Sequence, residues 1–379
     1  MALLTRAKGT TESYTSGNQA HAFPFPHSLD EDHNTTVHHD QFSTKPIRTT
    51  PPDIRKYHHK FGGEVLCGSL WGVNLLVGTD NALLLLDRSG NGKVFPLISR
   101  RRFYQIEALE GLNVMLSISG KKNKLRAYYL SWLRRKILRS DDAERTSRTG
   151  FAAVGEIENC VSFKVVQGSD RLKYLVIATK SSIELYAWAQ KPYSRFMQYR
   201  SFANITYRPI LVDFVNFTAN KFITYASSSG FHNINMENGD VSDLWMPYQG
   251  TKSIKPFAII PLPSSTNLLL CYDSEGAYID VLGRQVKARG LRWDEVPQCV
   301  SCIGDNLIMG WCQKAIEVRS LIDGTPQGTF VHKRALKLKY LCERNDKVFF
   351  SSIKTATATS SRIYVMALSN VLHNFSPIM

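Results

Sequence analysis

Residues 74–88 read NLLVGTDNALLLLDR. Two apolar runs, each too short for a helix, flank a polar break at Thr79-Asp80-Asn81, which is the pattern of two strands joined by a tight turn. The pattern recurs as YLVIATKSSIELYAW (174–188), NLLLCYDSEGAYIDV (267–281) and NLIMGWCQKAIEVRS (306–320). Around the first copy, VLCGSLWG precedes and KVFPLI follows, so that the unit holds four strands. Opening strands are expected near residues 64, 104, 160, 210, 256, 297 and 338, a spacing of roughly 40–56 residues. Four strands per unit at that period predict an all-β, seven-bladed β-propeller. The seventh unit shows no fourth strand after Met366-Ala367-Leu368. IRKYHHKF (54–61) is expected to supply it, joining the two ends of the chain and removing a sheet edge.

Residues 1–53 are rich in Thr, Ser, His, Asp and Pro and read as a disordered N-terminal tail, leaving 54–379 as the propeller. Five of the ten histidines fall there (His21, His27, His33, His38, His39), at spacings that match no compact metal site. The helix candidate is LSWLRRKIL (130–138), followed by a polar surface loop at 139–150. No window is apolar enough for a transmembrane helix, and the apolar start of MALLTRAKG is too short for a secretory signal. Seven cysteines, an odd number set in apolar runs, point to reduced thiols and a cytoplasmic setting.

Catalytic motifs are missing. The chain has no phosphate-binding G-x-x-x-x-G-K-[ST], no G-x-S-x-G, no H-E-x-x-H, and none of the protein-kinase signatures. Gly90-Asn91-Gly92 lacks the third glycine and following helix of a dinucleotide site. Cys299-Val-Ser-Cys302 lies in an alternating strand and is expected to pack in the core, unreactive and without zinc. His232 and His332 have no obvious Cys or Asp partner nearby and read as structural or interface histidines. Trp71, Trp188, Trp245, Trp293 and Trp311 recur near strand ends, as residues packed between blades would. No catalytic residue, metal or cofactor is expected.

Charge carries more information. Of 47 Lys/Arg and 32 Asp/Glu, only four and six lie in residues 1–53, so the basicity belongs to the folded part. Residues 100–139 hold eleven basic side chains against Glu107 and Glu110. Gly120-Lys121-Lys122-Asn123 is a hairpin tip, which projects its lysines from a rim. Arg100, Arg101, Arg102, Lys121 and Lys122 are therefore the candidate partner-binding residues. A solvated basic face, an acidic protein partner and an anionic membrane surface all remain open. Nucleic acid fits poorly, because stacking aromatics do not interleave with the charges.

Five segments resemble the citron-homology domain: LWGVNLLVGTDNALLLLDRSGNGKV (70–94), LEGLNVMLSISGKKNKLRAYYLSWLRRKIL (109–138), KSSIELYAWAQKPYSRFM (180–197), IMGWCQKAIEVRS (308–320) and HKRALKLKYLCERNDKVFFSS (332–352). They are most similar to that domain in the Misshapen, Nck-interacting and Traf-and-Nck-interacting group of germinal-centre kinases. The resemblance runs from about Asp53 to about Leu368. It implies a non-catalytic seven-bladed propeller that follows a Ser/Thr kinase domain and a long linker. It also implies binding of a GTP-loaded Rap-type small GTPase in stress-kinase and cytoskeletal signalling. The chain departs from the family pattern at 139–150 and at KTATATSSR (354–362). A membrane-surface adaptor, or a fragment of an active kinase, is the competing reading.

Overall fold

In the computed structural model the described residues are 37–39, 42–45, 53–88, 92–138, 150–168, 172–216, 221–248, 250–263, 265–332, 336–353 and 360–368. They form seven antiparallel sheets arranged as the blades of a propeller. Blade 1 runs Val65–Trp71, Asn74–Thr79, Ala82–Leu86 and Val94–Ser99, from the axis outward. The next blades open at Phe103, Cys160, Leu211, Pro256, Cys299 and Leu336, close to the expected starts. The second and third strands match the repeated hairpins in every case quoted above. Helix α1 (Leu130–Leu138) forms over the expected residues, and it connects the third and fourth strands of blade 2. The polar loop after it lies outside the described residues except for Gly150, as do residues 354–359.

The second strand of each blade explains the sequence texture. Asn74–Thr79 and Val114–Ser119 are buried along their whole length, because a neighbouring blade covers each face of the sheet. Such a strand reads as an unbroken apolar run and not as an alternation. A separate hydrophobic cluster fills each junction between adjacent blades. Trp71, Phe103 and Met115 join blades 1 and 2, for example, and Trp311, Leu338 and Phe350 join blades 6 and 7. Burying a large side chain in such a junction stabilises the ring by about 1.5–3 kcal/mol. Gly310 is required at its junction: a Cβ there would come within 2.7 Å of the Trp293 ring of blade 5. Trp311 lies 5.2 Å from Phe350, and Trp293 is likewise buried, so both tryptophans pack between blades as their spacing suggests.

The ring closes as expected. Asp53–Tyr57 pairs with the third strand of blade 7, with Ile54 opposite Met366 and Lys56 opposite Tyr364. Phe61 continues against Ser361. Tyr57 and Phe61 then join Leu341, Phe349, Val65 and Leu75 in the cluster between blades 7 and 1. Closure thus rests on packing as well as on the ladder. Residues 1–36 of the expected tail are outside the described residues. Two short stretches nearer the ring are strands: Val37–His39 pairs with Asp53–Tyr57, and Phe42–Lys45 pairs with the outer strand of blade 6.

Candidate partner-binding rim

Backbone hydrogen bonds sort the loops into two rims. The connectors between blades bond to the turns that join second and third strands: Arg101 N–H to Asn81 O at 2.8 Å, Gly120 N–H to Arg102 O at 2.9 Å, and Asn159 N–H to Lys122 O at 2.9 Å. All of these loops therefore share one rim. The remaining turns are linked on the other. Gly72 N–H donates to Glu110 Oε1 at 3.1 Å, and Arg344 donates both to Gly72 O at 2.8 Å and to Glu110 at 3.1 Å. That clamp ties blades 7, 1 and 2 together.

The first rim brings the connector 100–102 beside the hairpin tip 120–123, which the sequence places eighteen or more residues apart. Arg100 and Arg102 are exposed, and so are Lys121 and Lys122. Arg100 holds a left-handed φ of 57°, a conformation that costs a non-glycine residue roughly 1–2 kcal/mol. Arg102 lies over the half-exposed ring of Tyr104 at 4.5 Å. Lys180 is drawn to the same area by its N–H bond to Asn159 O at 3.2 Å; alone in its turn, it gave no sign of this in the sequence.

Not every basic residue of the stretch faces out. Arg101 turns inward, donating to the Tyr128 hydroxyl at 2.5 Å with the Phe151 ring 6.0 Å away. Arg126 donates to Ser119 O at 2.8 Å, and burial lowers its pKa. Lys136 bonds Leu97 O at 3.2 Å and sits over Trp132. Arg135 is exposed on helix α1, which connects a third strand to a fourth and packs along the outer strand of blade 1. The charge dense in sequence is thus divided in space. Glu158 divides it further by pairing with Lys124 at 2.9 Å and Lys122 at 3.2 Å, and those hydrogen bonds hold its carboxyl below the usual range.

The axis carries a second polar group. Lys164 of blade 3 pairs with the buried Asp213 of blade 4 at 2.9 Å. Burial pushes Glu107 of blade 2 up to about 7, partly offset by Lys164.

Blade 4 contains a Ser-His-Asp series. His232 Nδ1 lies 2.7 Å from Asp243 and Nε2 lies 2.8 Å from Ser227 Oγ. Asp243 is the partner that the sequence reading did not find, because the strand register places it across from His232. His232 is fully buried beneath Tyr207, at 4.4 Å, and Ser227 is buried too. The Ser227 hydroxyl also accepts the N–H groups of Ser229 and Gly230, at 3.0 and 3.3 Å. The series fixes a turn, and both its Ser227 and its His232 are shut off from solvent. His332 lies at the end of the outer strand of blade 6, and its side chain is outside the described part.

Cys299 and Cys302 sit half-buried on the first strand of blade 6, where Cys299 Sγ accepts the Tyr340 N–H at 3.4 Å. Burial raises the two thiols to about 11 and about 12. Among the described residues no group of three His, Cys, Asp or Glu is placed to hold a metal ion, and no helix is long and apolar enough to cross a membrane.

Comparison with known proteins agrees with this architecture. The chain is 50% identical over 321 residues to Misshapen-like kinase 1 of Rattus norvegicus, covering 84% of this chain and 24% of that protein. It is 49% identical over 331 residues to the serine/threonine-protein kinase mig-15 of Caenorhabditis elegans, covering 86% and 30%. The chain therefore spans about a quarter to three tenths of the length of these kinases, and it contains no kinase domain. A more distant relative, at 23% identity over 84% of this chain and 37% of its own length, is the GTPase-activating Rap/Ran-GAP domain-like protein 3 of Gallus gallus. Among solved structures, that of BBS1N in complex with ARL6DN, soaked with mercury, shares the fold with a TM-score of 0.53 and 11% identity, over 81% of this chain and 93% of that one. The CNH domain model matches residues 71–344, and the chain belongs to the CNH, or citron-homology, domain family.

Proposed function

We propose that the chain is a non-catalytic, protein-binding regulatory module of a Ste20-like Ser/Thr kinase, and that its basic rim docks the acidic face of a GTP-loaded Rap-type small GTPase. The observation that carries this reading is the grouping of Arg100, Arg102, Lys121 and Lys122, all exposed, where one connector meets one hairpin tip. A positive rim favours an acidic partner and steers its approach. The kinase relatives support the Ste20-like setting, and the Rap/Ran-GAP-like relative supports a small-GTPase connection. Signalling to stress kinases and the cytoskeleton, within the cytoplasm, belongs to the same proposal, as does the division into a tail at 1–53 and a propeller at 54–379.

Arg101 enters this reading as a positioning residue. Its bond to Tyr128 fixes the connector, so that Arg100 and Arg102 project on either side of it. A pull-down with the purified chain against GTP- and GDP-loaded Rap-type GTPases tests the proposal. Capture of the GTP form alone is expected; equal capture of both forms, or of neither, contradicts it.

A further inference from the structure

An open sheet edge is a template for another strand, and folded proteins shorten, cover or interrupt such edges. Six of the seven blades do so. Blade 7 is covered by Val37–His39, and blade 6 by Phe42–Lys45, which pairs along Thr329–His332. The outer strand of blade 1 contains Pro96, and its Leu97 O is taken by Lys136 of helix α1 at 3.2 Å. In blades 2 and 5 the outer strand has only three and two residues, Phe151–Ala153 and Leu291–Arg292. Blade 4 offers the short regular stretch Val241–Asp243 before a bulge at Leu244, and Asp243 places a charge on it.

Blade 3 is the exception. Its outer strand, Arg195–Phe202, is the longest of the seven at eight residues, and no strand is added to it among the described residues. A bulge at Tyr199 leaves Arg195–Gln198 in regular register with Ala189–Tyr186. That stretch matches in length the part of blade 6 that accepts Phe42–Lys45. The propeller itself thus carries an example of what fits such an edge: an extended segment adding one antiparallel strand.

The side chains specify the occupant further. Val166, Tyr174, Ala187 and Met197 stand opposite one another in turn across the four strands, on the side that packs against blade 4. The row runs out at Met197, which is 42% exposed. Tyr199, 61% exposed, lies against Tyr174 with ring centroids 6.0 Å apart. An apolar residue opposite Met197 on an added strand would continue this row, and such cross-strand pairs stabilise a sheet. Arg195, two residues before Met197 on the same side, is exposed and makes no ion pair among the described residues. Glu184 of the third strand is taken up by Ser182 and Gln198 instead.

We propose that the edge of blade 3 at Arg195–Gln198 takes an extended segment of a partner protein as a fifth strand, with an apolar residue opposite Met197 and an acidic residue at Arg195. Main-chain hydrogen bonds would supply the affinity and the two side-chain positions the selectivity. The proposal rests on a sheet edge and not on the basic rim, so it stands apart from the GTPase reading.

Panning a phage-displayed library of random linear peptides against the full chain, then measuring amide hydrogen exchange with the strongest synthetic peptide bound, tests it. Enriched peptides are expected to alternate apolar and polar residues and to carry an acidic one. The outward amides of Arg195–Gln198 should exchange about tenfold more slowly in the complex. The double variant Met197→Lys/Tyr199→Lys changes two exposed side chains, should keep the circular dichroism of the folded chain, and should weaken peptide binding about tenfold. The double variant Lys121→Glu/Lys122→Glu should bind the peptide like the wild type. The proposal is overturned if no peptide is enriched, if the protected amides lie outside Arg195–Phe202, or if Met197→Lys/Tyr199→Lys binds as tightly as the wild type. Loss of binding in the Lys121 and Lys122 variant alone would assign the peptide to the basic rim and equally overturn it. Sedimentation velocity covers a second copy as occupant: a wild-type dimer that Met197→Lys/Tyr199→Lys dissociates would give the edge to self-association instead.

Discussion

Deleting Asp53–Phe61 removes the fourth strand of blade 7 and three buried side chains, Ile54, Tyr57 and Phe61. At about 1.5–3 kcal/mol for each buried side chain, the loss is about 5–9 kcal/mol. That equals much of the net stability of a typical domain, about 5–15 kcal/mol. The deletion should therefore yield a chain without a cooperative melt, with an exposed sheet edge prone to association. Point variants grade the same effect. Ile54 packs with Trp311, Leu338 and Met366 at the junction of blades 6 and 7. Ile54→Ala should cost about 2–5 kcal/mol, cavity included. With an unfolding entropy of about 2.1 cal/mol/K per residue over roughly 300 folded residues, this lowers Tm by about 3–8 °C. The exposed Lys60→Ala, in the same segment, should change Tm by less than about 1 °C. Thermal melts followed by circular dichroism, with sedimentation velocity to detect association, measure both. An Ile54→Ala chain that melts with the wild type, or a deletion that keeps a cooperative transition, would show that the ring does not depend on this closure.

Two further outcomes concern titration and thiols. Because burial raises Glu107 from the ordinary carboxylate range to about 7, the folded chain holds its proton more tightly than the unfolded chain. This group's contribution to stability is therefore greatest below about pH 4.5 and declines as pH rises through about 7. Urea titrations of Glu107→Gln across that window should show a flatter profile than the wild type; parallel profiles would assign the pH dependence elsewhere. Cys299 and Cys302, raised by burial, should react with an aromatic disulfide reagent much more slowly in the native chain than in urea. Equal rates would mean that their thiols are open to solvent.

The fold was legible because each blade repeats a local physical problem. A second strand covered on both sides must be apolar throughout, and the turn after it must be polar, so NLLVGT-DN-ALLLL announces itself wherever it recurs. The closing strand was legible from topology: blade 7 lacked a fourth strand, and IRKYHHKF was the segment left to supply it. The candidate rim was legible in part. The hairpin tip at Lys121 and Lys122 could be read from turn chemistry, but the inward course of Arg101 depends on Tyr128 and Phe151, brought beneath it by other strands of blade 2. Nothing in Arg-Arg-Arg distinguishes the middle residue. The partner of His232 was hidden for the same reason, since Asp243 is eleven residues away and meets it only through strand register. The strands Val37–His39 and Phe42–Lys45 gave no signal, because they lie in polar text and are defined by the edges they join.

The role of the basic rim is tested most directly by association kinetics between the purified chain and a GTP-loaded Rap-type GTPase, at low and at physiological salt. Lys121→Glu/Lys122→Glu should slow association by about tenfold at low salt and flatten its salt dependence, while circular dichroism stays that of the folded chain. Glu158→Gln removes the acid paired with Lys122 and Lys124, and should act in the opposite direction, speeding association. Association rates that are the same in all three proteins at both salt concentrations would contradict the account and remove this rim from the interface.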